Sequence, residues 1–454
     1  MKTLYVMLIG GLSVMLPLQA GQPQQQMNTV APQQEEEAFN EALRRVLESQ
    51  SEDLYPVALA VLNSGGGEGD FFNLMKRASE AGNPVAQKWR AQMLVQTAPQ
   101  TQAEWETATQ TVQARALMKA AADAGYVPAQ VEMARYAGSG VGAPANEAEG
   151  LRCLTQACRT GSARARAAYL LLTGRLDAGK FDAPEIASEL NKNNFYLEEV
   201  IASLYGNSPD ALSWLEKASA HGSPTAPFLL GQLKAQTDEA AARELLQLAA
   251  ERHLPEALAT LGGLMLSTGQ ESEGIHRLQL AFMLGYTPAA VTLAAQYINH
   301  PETYSAERVY ALYDIAAGLR DSRAAVARAY CLVTGRGCEP AAEQGIEQLK
   351  SQADEGNPYA HVALADLYFN GIGVPADMLK AINALGEADA AGVPNAYVLM
   401  AVLTHLGNAA AAPDARRAEL YLRMSEERGA VGARQLFDAL VKEKSWHFLP
   451  PVRK

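Results

Sequence analysis

Ten alanines at one fixed spacing constrain this chain more than any other feature. A recurring position is held by Gly82, Gly125, Gly161, Gly222, His253, Gly285, Arg320, Gly356, Gly392 and Gly429. Four residues beyond each of these ten marks stands an alanine: Ala86, Ala129, Ala165, Ala226, Ala257, Ala289, Ala324, Ala360, Ala396 and Ala433. Seven residues before each mark stands Met75, Met118, Leu154, Leu215, Leu246, Leu278, Tyr313, Leu349, Leu385 or Leu422. Most intervals run from 35 to 43 residues, and two are 31 and 32. That is close to the period of helix-pair repeats. A methyl group is about all that fits where neighbouring helices cross most closely, so an invariant alanine beside a helix-ending glycine predicts tightly crossed helices.

The clearest unit lies between Gln352 and Ala396. Asn357 and Pro358 predict a helix start, since asparagine can cap and proline has no N–H to lose in the first turn. Ala360, Ala363, Leu364, Leu367 and Tyr368 form an apolar stripe at helical spacing, ending near Asn370. Gly371 and Gly373 make a tight turn, and a second helix follows from Ala376 to about Ala391, with Asp377 as its cap. Its stripe is Leu379, Ile382, Leu385 and Ala388, and Gly392 ends it in the left-handed conformation that glycine accepts. Two helices this short cannot bury both stripes alone, so each pair requires another beside it.

At this point the chain resembles the SEL-one-like repeat, a relative of the tetratricopeptide repeat. The residues that carry the resemblance are Ala360, Leu364, Ala365, Tyr368, Gly371, Gly373, Val374, Asp377, Lys380, Ala381, Ala388 and Gly392. Gly138-Ser-Gly140-Val141 and Gly335-Arg-Gly337 repeat parts of the motif. The likeness spans roughly residues 70–440. The expected fold is all-α, a right-handed superhelical solenoid of about eleven antiparallel helix pairs. The family supplies adaptor scaffolds to unrelated processes, so the resemblance specifies fold far better than function.

The ends and irregular stretches complete the organisation. Residues 1–20 hold one lysine, an apolar run from Leu4 to Leu18 and then Gln19-Ala20. This reads as a secretory signal peptide cleaved after Ala20, with an uncleaved anchor as the alternative. Residues 21–37 are glutamine-rich and read as a flexible linker; 38–69 are expected to cap the first repeat. Gly161 and Gly222 are 61 residues apart, too long for one unit. Asn193 is the substitute mark there, which makes 174–210 an irregular unit where two lobes are expected to meet. Residues 441–454 form a tail in which Trp446 and Phe448 are expected to cap the last pair.

Chemistry is sparse. A net charge of −12 argues against nucleic acid and anionic membrane surfaces. The seven histidines are scattered, and none has a metal-ligand spacing. His253 replaces a helix-ending glycine, where a cation suits the dipole. The triplet Glu35-Glu36-Glu37 reads as a solvated flank. No catalytic, cofactor or metal residue is assigned. Cys331 and Cys338 fall across a G-x-G turn and could form a disulfide, whereas Cys153 and Cys158 are poorly placed to bond each other. The alternative is that all four are small buried apolar residues.

Binding is what remains. If tetratricopeptide geometry carries over, the first helix of each pair lines a concave groove through positions 3, 6, 10 and 13 after the mark. That places Arg323, Tyr330, Tyr359, Val362, Asp366, Phe369, Asn395, Val398, Val402 and His405 on the groove. Aromatic and mixed polar residues there suit a protein or peptide partner. The alternative for Tyr330 or Phe369 is packing between units as core. The reading is therefore an exported, non-enzymatic interaction scaffold in a periplasm or outside the cell, without stable membrane insertion after cleavage. The resemblance also admits a second function, a cell-wall- or β-lactam-related hydrolase.

Overall fold

The unit between Gln352 and Ala396 folds as its residues require. Helix Pro358–Asn370 starts at Asn357, whose side chain accepts a hydrogen bond from the Tyr359 N–H at 3.2 Å. Gly371 and Gly373 follow with φ of +69° and +68°. Helix Met378–Ala390 is capped by Asp377, which accepts from the Lys380 N–H at 3.0 Å. The second glycine of such turns answers a close approach as well as a positive φ. A Cβ on Gly337 would run into the Ala306 carbonyl, and one on Gly142 into the Thr111 carbonyl, each at the start of an adjoining helix. In the 127–162 region the turn is therefore Gly140-Val141-Gly142, not Gly138-Ser-Gly140 as the motif suggests. Gly138 lies inside helix Val127–Ser139 with open space at its Cβ, while Gly140 and Gly142 carry the positive φ values.

The computed structural model describes residues 32–98, 105–176, 181, 183–206, 208–235, 237–393, 395–428, 430, 432–442 and 446–449. Among the described residues there are 24 helices and no strand. They sort into eleven pairs, from Tyr55–Asn63 with Glu68–Glu80 to Ala396–Leu406 with Ala415–Glu427. Helix Pro32–Glu48 precedes the pairs and Ala433–Lys442 follows them. Every described mark is left-handed, with φ from +62° at His253 to +104° at Gly285, and Asn193 joins them at +56°. His253 and Arg320 accept this at a cost of about 1–2 kcal/mol each. All ten register alanines are at most 2 % exposed, so the spacing does report the helix crossings. Of the ten positions seven before the marks, only Leu246 is not buried.

The chain divides into two compact units. The N-terminal unit holds residues 22–266 and 270–286, and the C-terminal unit holds 267–269 and 287–454. The expected boundary at 180–210 is wrong. There the second helix is merely short, Pro184–Leu190, and the left-handed Asn193 restores the register. Asn194 then caps Phe195–Leu204 and donates to the Ala163 carbonyl at 2.9 Å. Ile186, Leu197 and Ile201 pack with Ala167 and Leu170 in one continuous cluster.

Both described ends depart from expectation. Residues 32–37 are not linker but the first two turns of helix Pro32–Glu48. Glu36 there pairs with Arg77 at 2.8 Å, and Glu35 is half-buried, so the acidic triplet is only partly a solvated flank. The leader at 1–20, most of the linker, Gly429 and the prolines Pro450 and Pro451 lie outside the described residues. Within the N-terminal unit, Phe72 meets Phe282 with ring centroids 5.4 Å apart. The first helices thus pack on a helix some two hundred residues later. Trp446, Phe448 and Leu449 are buried, and Trp446 and Phe448 are bonded to helix Pro358–Asn370, with the Phe448 ring against Tyr330 of helix Ser322–Thr334.

Candidate functional site

In the C-terminal unit, Tyr330 and Asp366 occupy the same register position of successive first helices, ten residues after Arg320 and Gly356. Stacking the pairs brings them together, and the Tyr330 hydroxyl donates to the Asp366 carboxylate. Asn370 is one turn further along the same helix, the spacing at which side chains share a face, and its amide donates to the other oxygen of Asp366. Asp366 is fully buried.

The stretch Trp446–Leu449 lies on this face. Phe448 donates its N–H to Asp366 Oδ2 at 2.8 Å, and Asn370 Nδ2 donates to the Trp446 carbonyl at 3.0 Å. Both of these bonds are to main-chain groups, so Asp366 and Asn370 hold the backbone here rather than a particular side chain. Side chains add to the hold: the Phe448 ring sits 5.3 Å from that of Tyr330, and His447 Nδ1 is 3.5 Å from Asp366 Oδ1. Full burial of an aromatic or leucine side chain is worth about 1.5–3 kcal/mol, so this stretch is firmly seated.

The N-terminal unit carries a corresponding face covered by residues 50–55. Gln50 Oε1 accepts the Val127 N–H at 2.8 Å, and the Ser51 carbonyl accepts from the Tyr126 hydroxyl. Glu52 pairs with Arg164 and lies 4.0 Å from Lys88 Nζ. Asp53 meets His253 Nδ1 at 2.7 Å, and Tyr55 stacks on the His253 ring at 3.7 Å. Burial pulls the Lys88 ammonium below the ordinary lysine range, against the upward pull of Glu52. Nearby, burial pushes the Glu199 carboxyl up, although the Ser223 hydroxyl donates to it.

The predicted groove residues divide accordingly. Tyr330 and Asp366 come together, but under the tail rather than open, which the expectation of a free groove did not allow for, and Phe369 is buried too. Val362, Val398 and Val402 are buried as well, and His405 packs edge-on against Phe437 of helix Ala433–Lys442 at 5.5 Å. Arg323, Tyr359 and Asn395 are half-buried at the starts of their helices. Tyr359 lies seven residues, about 10 Å of helix, from Asp366. The reading missed Asn370, Lys88, Arg164 and the second role of His253. Lys88 and Arg164 were within reach, standing six and three residues after Gly82 and Gly161, at the same groove positions.

No disulfide joins Cys331 and Cys338. Both thiols are free, and Cys338 Sγ points at the Cys331 carbonyl, 3.6 Å away, instead of at its sulfur. Burial pushes the Cys331 thiol up to about 12. Cys153 and Cys158 are also free and half-buried. Among the described residues no three His, Cys, Asp or Glu side chains gather to hold a metal ion. No helix among them is long and apolar enough to cross a membrane.

The Sel1 repeat profile matches residues 109–126, 127–162, 205–223, 228–253 and 358–383. No curated protein matches the chain. Among solved structures, the protective antigen c5321 of uropathogenic Escherichia coli, which displays an SLR fold, is 16% identical. That likeness covers 90% of this chain and 87% of the antigen, with a TM-score of 0.41. A Sel1 repeat protein from Oxalobacter formigenes is 20% identical over 52% of this chain and 94% of its own, with a TM-score of 0.38. Five stretches of the chain are thus similar to the Sel1 repeat, and the described residues around them form an all-α array of helix pairs with a recurring left-handed mark.

Proposed function

We propose that the chain is an exported, non-enzymatic scaffold that holds polypeptide on the first-helix face of its C-terminal unit. One observation carries this reading: Asp366 and Asn370 take an N–H and a carbonyl two residues apart from a stretch lying across them. Reading the backbone in this way is how a repeat array accepts peptide without demanding one sequence, while flanking pockets such as the Tyr330 ring add selectivity. Sel1-type repeats in general serve as protein-interaction scaffolds, which supports the coarser half of the proposal. Export rests on the leader at 1–20, and the mature chain should begin at Gly21. Mass spectrometry of the purified native protein checks this, and an intact Met1–Ala20 segment would overturn it.

A displayed random-peptide library panned on the full chain tests the binding reading. Selected peptides should lose binding in Asn370→Ala, with helicity by circular dichroism unchanged. If no peptide is enriched over a bare support, or if the enriched ones ignore that substitution, the face does not hold peptide.

A further inference from the structure

Resting on that reading, we infer that the Tyr330–Asp366–Asn370 face is selective for one kind of segment, supplied by another protein. That segment is an aromatic–basic–aromatic–aliphatic run, and the chain's own Trp446-His447-Phe448-Leu449 occupies its place as an internal competitor. Three features of the seated stretch set this chemistry. The Phe448 ring against Tyr330 requires an aromatic residue at that point. The imidazole of His447 beside the buried Asp366 favours a group that can carry positive charge at the preceding position. Trp446 and Leu449, both buried, ask for large apolar side chains at the ends.

The carboxylate explains why the face is kept filled. Asp366 accepts from the Tyr330 hydroxyl, the Asn370 amide and the Phe448 N–H. If the tail left with nothing in its place, a fully buried carboxylate would lose one of its donors, a loss comparable to that of any charge-assisted hydrogen bond. A segment that brings its own N–H, aromatic ring and cation can replace the tail without leaving that acceptor short. The internal stretch thus lowers the apparent affinity for every incoming segment and admits those that match all four positions.

The test uses a fluorescent synthetic peptide with the sequence of residues 443–454 and two full-length proteins, wild type and Trp446→Ala/Phe448→Ala. Emptying the face in the variant should tighten peptide binding, read by anisotropy, at least ten-fold over wild type. A folded variant that binds no more tightly overturns the inference. Should the variant fail to fold, hydrogen exchange on the wild type decides. Excess peptide should raise exchange at the Phe448 amide while a scrambled peptide does not, and unchanged protection in the presence of bound peptide overturns the proposal. Sedimentation in the same titration covers the remaining occupant. A dimer dissolved by the peptide would mean that a second copy supplies the segment, which also overturns the assignment to another protein. Library peptides that bind through Asn370 but share no aromatic pair would leave the scaffold reading intact and remove only this selectivity.

Discussion

The first-helix faces of the two units are each covered by an irregular stretch of the chain, through opposite kinds of chemistry. In the N-terminal unit the cover is residues 50–55, held by Glu52 with Arg164, by Asp53 with His253 and by the stacked Tyr55 ring. In the C-terminal unit it is Trp446–Leu449, held by apolar burial and by hydrogen bonds to one buried carboxylate. The difference lies in what each cover costs to remove. Half-exposed ion pairs exchange readily with water and salt and contribute little individually. Buried rings and a carboxylate with all its donors resist salt and leave expensive gaps when they go. The N-terminal cover leads directly into helix Tyr55–Asn63 of the first pair and so belongs to the body of that unit. The C-terminal cover lies beyond helix Ala433–Lys442, and it is the one for which we infer exchange with a partner.

Phe448→Ala should have the largest effect. Truncating a buried phenylalanine costs about 3–5 kcal/mol. We expect amide exchange over Trp446–Leu449 to accelerate by two orders of magnitude or more while residues 50–55 keep their protection. Equal acceleration at both covers would erase the distinction between them. Glu52→Gln comes next. Losing the charge on Glu52, which faces both Arg164 and Lys88, should weaken the N-terminal cover by about 1 kcal/mol, the upper end for partly exposed ion pairs. Raising salt in the wild type should loosen residues 50–55 and leave Trp446–Leu449 unmoved; a salt-sensitive C-terminal cover would contradict the contrast.

A smaller effect concerns pH. Burial raises the Glu199 carboxyl above its unfolded value of 4.5, so the folded chain holds that proton more tightly than the unfolded one. The resulting stability is full below pH 4.5 and is lost as pH rises through the folded value. Glu199→Gln should therefore flatten the pH dependence of N-terminal unfolding above pH 4.5, and an unchanged slope would show that this carboxyl is not coupled to folding. Asp53→Asn should matter least. Its contact with His253 is about a third exposed on both sides and is worth roughly 0.2–1 kcal/mol. A loss of several kcal/mol in a thermal melt would mean that the Tyr55–His253 stack depends on that carboxylate.

The repeat was legible because its causes are local. A helix-ending residue, a methyl group four residues later and caps such as Asn357 and Asp377 act within one or two turns of their own positions. Each of the ten alanines therefore marked a buried position of a helix in the array. Even the misplaced turn was off by only two residues, because Gly138, Gly140 and Gly142 alternate and only the packing against Thr111 selects the last two. The groove positions were likewise correct as positions: Tyr330 and Asp366 do meet, being equivalent residues of stacked pairs.

What covers those positions was decided by tertiary structure alone. Phe448 reaches Asp366 across 82 residues, Glu52 reaches Arg164 across 112, and Asp53 reaches His253 across 200. No periodicity links such pairs, because each cover is a single irregular stretch that occurs once. Its place depends on where the stacked helices carry the chain, which a local pattern of spacings does not record. The amino-acid sequence determined an array of helix pairs and the residues on its first-helix faces. Only the folded chain decided that those faces are filled, and by which segments, because a filled face is a contact between parts of the chain that share no register.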